Sequence, residues 1–299
     1  MGRGTGVPWG ATVMATGIVS IGLRLAGFGW AGRALLVLTA ALWIVLAVTF
    51  GRLLVVDVPA TSRPAALTSV AGTGVLGDGA LLSGHTGTAA VLLAIATALW
   101  CALLPRVLRH LRGPLPGSAY LVTVATQALA VLAAMLATQP GARWLGWPAG
   151  VLLAAGLVLY LLVLRRFDLG QLGAGPGDHW VVAGALSISA LAAARVTDVA
   201  GRPPALAALT LAVLAVALAW YAVLVVYELA RRRLHYDGRR WSTVFPLGMT
   251  SVSAMTAGRI CDVPWLHTLG EILLWPAAIA WLAIALATTH STIKQQHPN

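Results

Sequence analysis

Long apolar segments recur along the whole chain, and short polar segments separate them. A helix needs roughly 18 to 25 mostly apolar residues to cross a bilayer core of about 30 Å. Segments of this kind predict ten membrane spans, at residues 8–27, 32–54, 65–83, 86–104, 117–138, 146–164, 180–197, 205–228, 241–258 and 266–289. They leave no block for a soluble domain, so residues 1–299 are expected to form a single transmembrane domain.

The composition agrees with this pattern of spans. The chain is 59% hydrophobic and only 10% charged, with a mean hydropathy of +0.85. A soluble globular protein of this composition would have too little polar surface to cover it. We therefore expect an all-α integral membrane protein, and the first span is expected to be retained because no small-residue cleavage site follows it.

The net charge of +11 would suggest nucleic acid in a soluble protein, but here the arginines lie in loops beside the spans. The positive-inside rule explains this distribution, and no nucleic-acid partner is expected. With the N-terminus inside, the inner segments hold 14 of the 20 basic residues: Arg3, Arg52, Arg63, Arg106, Arg109, Arg112, Arg165, Arg166, Arg231, Arg232, Arg233, Arg239, Arg240 and Lys294. This predicts a multi-pass protein of the cell membrane with both termini in the cytoplasm.

Odd and even spans differ in their chemistry. Spans 1, 3, 5 and 9 are loaded with Gly, Ser and Thr, span 7 more modestly, whereas spans 2 and 8 are nearly continuous Leu, Val and Ala with Trp. Small and hydroxyl residues suit close helix contact or a lined cavity, and long apolar residues suit contact with lipid. The simplest architecture is a ring of five helical hairpins, with odd helices inside and even helices outside. Tight packing without any pathway would also explain the small residues.

Two spans repeat the same pattern. The segment "SISALAAARVTDV" from Ser187 aligns without gaps with "SVSAMTAGRICDV" from Ser251, which pairs Arg195 with Arg259. Span 1 joins less closely, with "TGIVSIGLR" ending at Arg24. Repeated units within one membrane chain usually form a pseudo-symmetric bundle with the pathway on its pseudo-axis.

One bulky ring stands on the stripe that this repeat defines. At about 100° per residue, Phe245 and Arg259 share one face of span 9, and the same face of spans 1 and 7 carries small or aliphatic residues. Pro246 weakens the helix beside Phe245 and would let the ring move, so the two form a candidate pore gate. The candidate pore-lining residues are Gly10, Val13, Gly17, Ile21, Val181, Gly184, Ile188, Gly248, Val252 and Thr256.

An arginine ends each of the three stripes: Arg24, Arg195 and Arg259. Three arginines around a shared aqueous mouth would raise the local concentration of anions and avoid the cost of facing lipid. They are the predicted anion vestibule. Ordinary interfacial anchoring, with Asp198 and Asp262 as ion-pair partners, is the alternative.

The segments "VMATGIVSIGL", "VAGTGVLG", "VATQALAVL", "WVVAGALSISALA" and above all "RRWSTVFPLGMTSVSA" resemble the tellurite-resistance/dicarboxylate transporter (TDT) family, which includes slow-type anion channels, tellurite-resistance permeases and malate and sulfite transporters. The resemblance covers essentially all ten spans. It implies a quasi-fivefold ring of five hairpins around a central pore, a homotrimer whose protomers conduct separately, and a pore blocked by the phenylalanine of span 9, here Phe245. The implied partners are membrane lipid and small inorganic or organic anions: halide, nitrate, oxyanion or dicarboxylate.

Two acidic residues leave a second function open. Asp78 and Glu271 are expected inside the membrane, where such residues often mark ion or proton pathways. Either would carry protons in a coupled exporter of C4-dicarboxylate, tellurite or sulfite, or would pair with an arginine at the outer mouth.

Other motifs point to no further chemistry. Gly72, Gly74 and Gly77 spell G-x-G-x-x-G, but they lie in an apolar span without a βαβ unit, so close helix packing explains them. His267 and Glu271 are too few for a metal site, and no metal or other cofactor is expected. The histidines are scattered at span ends, which argues against an enzyme.

Overall fold

The computed structural model describes residues 9–56, 63–171, 177–230 and 240–296. These residues form ten long helices and no β-sheet. The helices are α1 (Trp9–Leu25), α2 (Gly29–Val56), α3 (Thr68–Leu82), α4 (Thr86–His110), α5 (Leu121–Ala137), α6 (Gly146–Leu164), α7 (Val181–Val199), α8 (Pro204–Ala230), α9 (Trp241–Ile260) and α10 (Pro264–Gln296). Each coincides with one predicted span, which confirms the all-α membrane fold. Arg3, residues 231–233 and Arg239 of the charge pattern lie outside the described residues.

The ten helices differ in length and hydropathy. Eight described helices are long and apolar enough to cross a membrane, counting the 3₁₀ turns that lead into α3, α5 and α6. The other two are α1, an apolar helix of 17 residues, and α9, which is rich in Gly, Ser and Thr. Two even helices run well past their predicted ends: α4 reaches His110 and α10 reaches Gln296.

The odd helices close into a ring. Helix α1 packs against α3 and α9, α3 also against α5, and α7 against both α5 and α9. Each even helix pairs with the odd helix before it, so five hairpins surround the ring. Since the hairpins are antiparallel, all five odd helices run in the same direction. We call the end at which they finish the C-terminal end of the ring.

Burial follows the same division. In the hydrophobic windows of α5 and α7, 100% and 89% of residues are buried, against 17–28% in the even helices. The even helices expose large apolar side chains such as Val37, Val91, Leu161, Val216 and Ile279. A surface of this kind suits contact with lipid chains, so the odd helices form the protein core and the even helices form the lipid-facing shell.

Tryptophans of the shell tie hairpins together around the ring. The indole nitrogen of Trp43 in α2 donates to Thr73 in α3 at 2.8 Å, and that of Trp100 in α4 donates to Thr126 in α5 at 2.9 Å. Trp281 in α10 joins the last hairpin to the first by donating to Thr16 in α1 at 3.0 Å. Each bond joins an even helix to the next odd helix, so polar contacts as well as packing hold three of the five junctions between hairpins.

Glycines allow the odd helices to approach closely. A Cβ atom at Gly74 would lie 3.1 Å from the Ala128 side chain, and one at Gly77 would lie 2.5 Å from that of Leu132, both in α5. Gly72 similarly faces Val13 of α1. The G-x-G-x-x-G segment therefore serves helix packing, as its apolar context predicts.

Candidate functional site

Phe245 lies on the arc of α9 that faces the axis of the ring. Three neighbouring helices fix the rotation of α9: Gly248 contacts Ile18 of α1, Pro246 contacts Gly184 of α7, and Ser251 donates to the Gly270 carbonyl of α10 at 2.7 Å. At about 100° per residue, Phe245 falls between the contacts with α1 and α7 and on the side away from α10. Its side chain is 3% exposed.

Phe245 is part of the buried core of the ring. Phe245 belongs to one buried hydrophobic cluster to which all five odd helices contribute, through residues that include Ile18, Val75, Leu129 and Ile188. Met14 and Met249, which the sequence analysis did not assign to the lining, also belong to this cluster and are 2% and 1% exposed. In the sequence, the spacing of four residues that puts Met14 on the face of Ile18 and Met249 on the face of Phe245 could have identified them.

Pro246 lies within a continuous α9 rather than at a break. The helix runs through it from Trp241 to Ile260, and the Pro246 carbonyl accepts a hydrogen bond from Thr250 Oγ1 at 2.8 Å. A Cβ atom at Gly184 would lie 2.9 Å from Pro246 Cγ. Gly184 therefore makes room for the proline ring, and α7 and α9 meet closely at the level of Phe245.

The predicted lining residues divide into two groups. Ile21, Val181, Ile188, Val252 and Thr256 are buried within the ring. The glycines instead lie where helices touch, because a Cβ atom at Gly10 would meet Thr68, one at Gly17 would meet Val75, one at Gly184 would meet Pro246 and one at Gly248 would meet Ile18. Val13 lies in the same α1–α3 contact, opposite Gly72.

The three predicted vestibule arginines lie in different surroundings. The Arg24 guanidinium binds the end of α3, where Nη2 donates to the Leu82 carbonyl at 2.7 Å and Nη1 donates to the Ser83 hydroxyl. Arg24 and Arg33 also border a cleft of about 700 Å³ that lies between α2, α3 and α4, outside the ring. Arg24 therefore caps a neighbouring helix, which the sequence analysis did not foresee.

Arg195 instead faces the interior at the C-terminal end of the ring. On α7, Thr197 contacts Thr210 of α8 at 3.1 Å, and Arg195 lies on roughly the opposite side of the helix. Its guanidinium interacts favourably with the carboxylates of Asp78 and Asp198 and unfavourably with Arg259. Arg259 is exposed. Of the three arginines, Arg195 and Arg259 thus lie close enough to influence each other.

Asp78 and Glu271, the two acidic residues expected inside the membrane, lie in different parts of the structure. The Asp78 side chain is 6% exposed and interacts electrostatically with Arg195 across the ring. Glu271 is on the shell helix α10, where its carboxylate lies 3.7 Å from His267 Nδ1 and its side chain is 43% exposed. Asp198, the expected partner of Arg195, makes its closest ion pair with Arg202 at 3.1 Å.

Comparison with known proteins places this arrangement in a family. Residues 5–289 match the family model described as voltage-dependent anion channel, SLAC1. Two similar proteins are the uncharacterized membrane proteins MT1776 and Rv1735c of Mycobacterium tuberculosis, strains CDC 1551 / Oshkosh and ATCC 25618 / H37Rv. Each is 31% identical over 152 residues, which cover 47% of this chain and 73% of the relative.

The family match spans nearly the whole ring and shell, and it confirms the resemblance to the TDT family that the sequence suggested. The ring of five hairpins, the apolar shell and the match over residues 5–289 agree with one another. The chain belongs to the SLAC1 family and is a multi-pass membrane protein of the anion channel and transporter class.

Proposed function

We propose that small anions cross the membrane along the axis of the five-helix ring and that Phe245 closes this path. The observation that carries the proposal is the burial of Phe245, which is 3% exposed and lies on the arc of α9 between the contacts of this helix with α1 and α7. Displacement of one ring would open space between α1, α7 and α9. Weak binding along the way suits conduction, because an ion must also leave.

The lining that we assign to this path is short and apolar except for Thr256. Ile21, Val181, Ile188, Val252 and Thr256 contribute side chains, and Gly10, Val13, Gly17, Gly184 and Gly248 set the distances between the helices that carry them. Arg195 and Arg259 form the charged mouth, which the positive-inside distribution assigns to the outer face. Arg24 supports this mouth indirectly, because it holds the end of α3.

Anion flux into liposomes tests the gate. Phe245→Ala is expected to raise chloride and nitrate flux several-fold above that of the wild-type protein. Phe50→Ala makes the same change in the shell helix α2 and is expected to leave flux unchanged. Flux of the Phe245 variant equal to that of the wild type, with both proteins folded and inserted, would exclude Phe245 as the gate.

A second candidate function is proton-coupled export of C4-dicarboxylate, tellurite or sulfite on the same fold. Asp78 favours it, because a buried acidic side chain on the axis would exchange protons with a passing substrate. Under this proposal a pH gradient drives uphill uptake, and Asp78→Asn abolishes the coupling. Glu271→Gln is the matched control, since Glu271 lies half-exposed on the shell. If substrate flux through the wild-type protein does not depend on the pH gradient, the coupled mechanism is excluded.

We further propose that the protein forms a homotrimer in the cell membrane, with both termini in the cytoplasm. The apolar shell of the even helices would then contact lipid and neighbouring copies. Mass measurement in nanodiscs tests the trimer. Labelling of a single cysteine placed in the loop between α2 and α3, from the cytoplasmic side only, tests the orientation.

A further inference from the structure

Three buried polar atoms near the C-terminal end of the ring have no hydrogen-bond partner among the described residues. They are Asp78 Oδ1 in α3, Arg195 Nε in α7 and Thr256 Oγ1 in α9. The Asp78 and Thr256 side chains are 6% and 2% exposed. Buried polar groups are nearly always paired in folded proteins, so three unpaired groups on three odd helices point to a ligand that all three would share.

The contacts of each helix direct these groups inward. On α3, Gly72 faces α1, Gly74 and Gly77 face α5, and Gly79 faces Leu36 of α2. The remaining arc, which contains Asp78, faces the axis. The same reasoning places Arg195 opposite the contact of α7 with α8, as described above.

Thr256 takes the corresponding place on α9. It lies far round the helix from Ser251, which bonds to α10, and on the same side as Phe245. It is eleven residues beyond Phe245, so it lies nearer the C-terminal end of the ring. It also precedes Arg259 by about one turn, and Arg259 interacts electrostatically with Arg195. The hydroxyl and the guanidinium therefore belong to the same end of the path.

The charges around Arg195 favour the binding of an anion that would displace the Asp78 carboxylate. Arg195 and Arg259 contribute two positive charges, and Asp78 supplies a carboxylate that interacts with Arg195 without saturating its hydrogen bonds. Asp198 is bound to Arg202 at 3.1 Å. An incoming anion would therefore compete with Asp78 for the same guanidinium.

We propose that Arg195 and Thr256 form a binding site for small oxyanions on the axis, outward of Phe245, and that Asp78 acts as a built-in competitor for this site. This inference rests on the proposed anion path and names its selectivity site. A guanidinium offers parallel N–H donors that match two oxygens of one anion, and the threonine hydroxyl can donate a third hydrogen bond. A spherical halide meets both N–H groups with a single acceptor atom, so it matches the two parallel directions of the fork less well. The site should therefore favour nitrate over chloride.

Binding of nitrate to the purified protein tests the site without requiring conduction. Sodium nitrate is expected to raise the melting temperature of the wild-type protein more than sodium chloride does at equal concentration. Arg195→Gln is expected to raise the half-saturating nitrate concentration by about tenfold or more, the change expected for a lost charge-assisted hydrogen bond. Arg33→Gln removes one exposed arginine outside the ring and is the control. Equal stabilisation of wild type and Arg195→Gln by nitrate would overturn the proposal.

Three further variants separate the roles. Thr256→Val is expected to raise the half-saturating nitrate concentration by about fivefold. Asp78→Asn is expected to lower it, because the competing carboxylate is gone. Arg195→Lys keeps the charge but loses the fork, so it is expected to retain chloride binding and lose the preference for nitrate. Weaker nitrate binding in Asp78→Asn would contradict the role of competitor.

Reversal potentials in the Phe245→Ala background connect the site to transport. The nitrate-to-chloride permeability ratio is expected to fall in Phe245→Ala/Arg195→Gln relative to Phe245→Ala. If Phe245→Ala gives no added flux, the proposed path fails while the binding measurement still decides the site. If flux rises but the ratio does not change with Arg195→Gln, the path stands and the selectivity site fails.

Discussion

Helices α7 and α9 have the same sequence pattern and sit side by side in the ring, yet their equivalent residues have different surroundings. Arg195 of α7 reaches the interior and interacts with Asp78, whereas Arg259 of α9 is exposed. At the other end, Val181 of α7 corresponds to Phe245 of α9. The shared pattern therefore gives the two helices equivalent positions in the ring. The surroundings of each side chain depend instead on the residues of the other helices.

The difference divides the proposed path into two parts. Near the N-terminal end of the ring, the inner arcs of α7 and α9 carry the buried apolar side chains of Val181 and Phe245. Near the C-terminal end, Asp78 and Arg195 lie on the inner arcs of α3 and α7 and interact electrostatically. An anion would cross an apolar barrier at one part and a charged site at the other, so variants of α7 and α9 should affect different properties of the same flux.

The largest expected effect comes from exchanging the unequal residues of the repeat. Phe245→Val makes α9 resemble α7 and is expected to raise anion flux several-fold, because the proposed path loses the ring of Phe245. The double variant Phe245→Val/Val181→Phe returns a ring to the same level from the neighbouring helix, and flux is expected to fall again. Stopped-flow anion flux in liposomes measures both.

The matched single variant Val181→Phe completes this comparison. With Phe245 present, a second ring is expected to leave the closed path closed. If the double variant conducts as fast as Phe245→Val, closure depends on α9 itself, for example on Pro246, and not on the presence of a ring at this level.

The next effect concerns the close contact that holds α7 against α9. Gly184→Val places side-chain atoms where Pro246 Cγ lies, since even a Cβ atom would be 2.9 Å away. Overpacking of this kind costs about 1–3 kcal/mol in the free energy of unfolding. Gly150→Val in α6 is the control, because a Cβ atom there meets nothing within 4 Å. Denaturant titration in bicelles is expected to show a lower midpoint only for Gly184→Val.

The sequence predicted the ring well because apolar length and small-residue content report directly on membrane depth and helix contact. The prediction for α6, residues 146–164, agrees with the helix at both ends. Small residues correctly marked the odd helices as the core. The tryptophan bonds between hairpins were not predicted, although Trp43, Trp100 and Trp281 recur in successive shell helices.

The faces of individual helices were harder to predict. A periodic stripe shows which residues share a face, but the rotation of the helix depends on its neighbours. Helix α1 is rotated so that Gly17 and Val13 face α3. There Gly17 packs against Val75, and Val13 packs against Gly72. Arg24 follows this rotation and caps α3, so the resemblance of span 1 to spans 7 and 9 did not carry over to its arginine.

A smaller effect is expected from the hydroxyl contacts between the two repeated helices. Ser253 Oγ lies within hydrogen-bond distance of the Ser187 carbonyl, at 2.6 Å, and Ser187 Oγ lies 2.7 Å from Thr250 Oγ1. Hydrogen bonds between membrane helices contribute about 0.6 kcal/mol on average. Ser253→Ala is expected to lower the unfolding free energy by about that amount. Ser187→Ala should cost less, because Thr250 keeps its bond to the Pro246 carbonyl. A larger loss for Ser187→Ala would contradict this order.

The smallest expected effect lies where α7 ends. Arg202 Nε contacts Asp198 Oδ1 at 3.1 Å, and the two side chains are 51% and 32% exposed. Exposed pairs at this spacing are worth about 0.3–0.5 kcal/mol, and salt screens them. Arg202→Gln is therefore expected to shift the unfolding midpoint slightly at low salt and not at all at high salt. It also frees Asp198, which interacts with Arg195. If Arg202→Gln weakens nitrate binding, the charge at the mouth extends to Asp198 and the site is wider than the three unpaired groups.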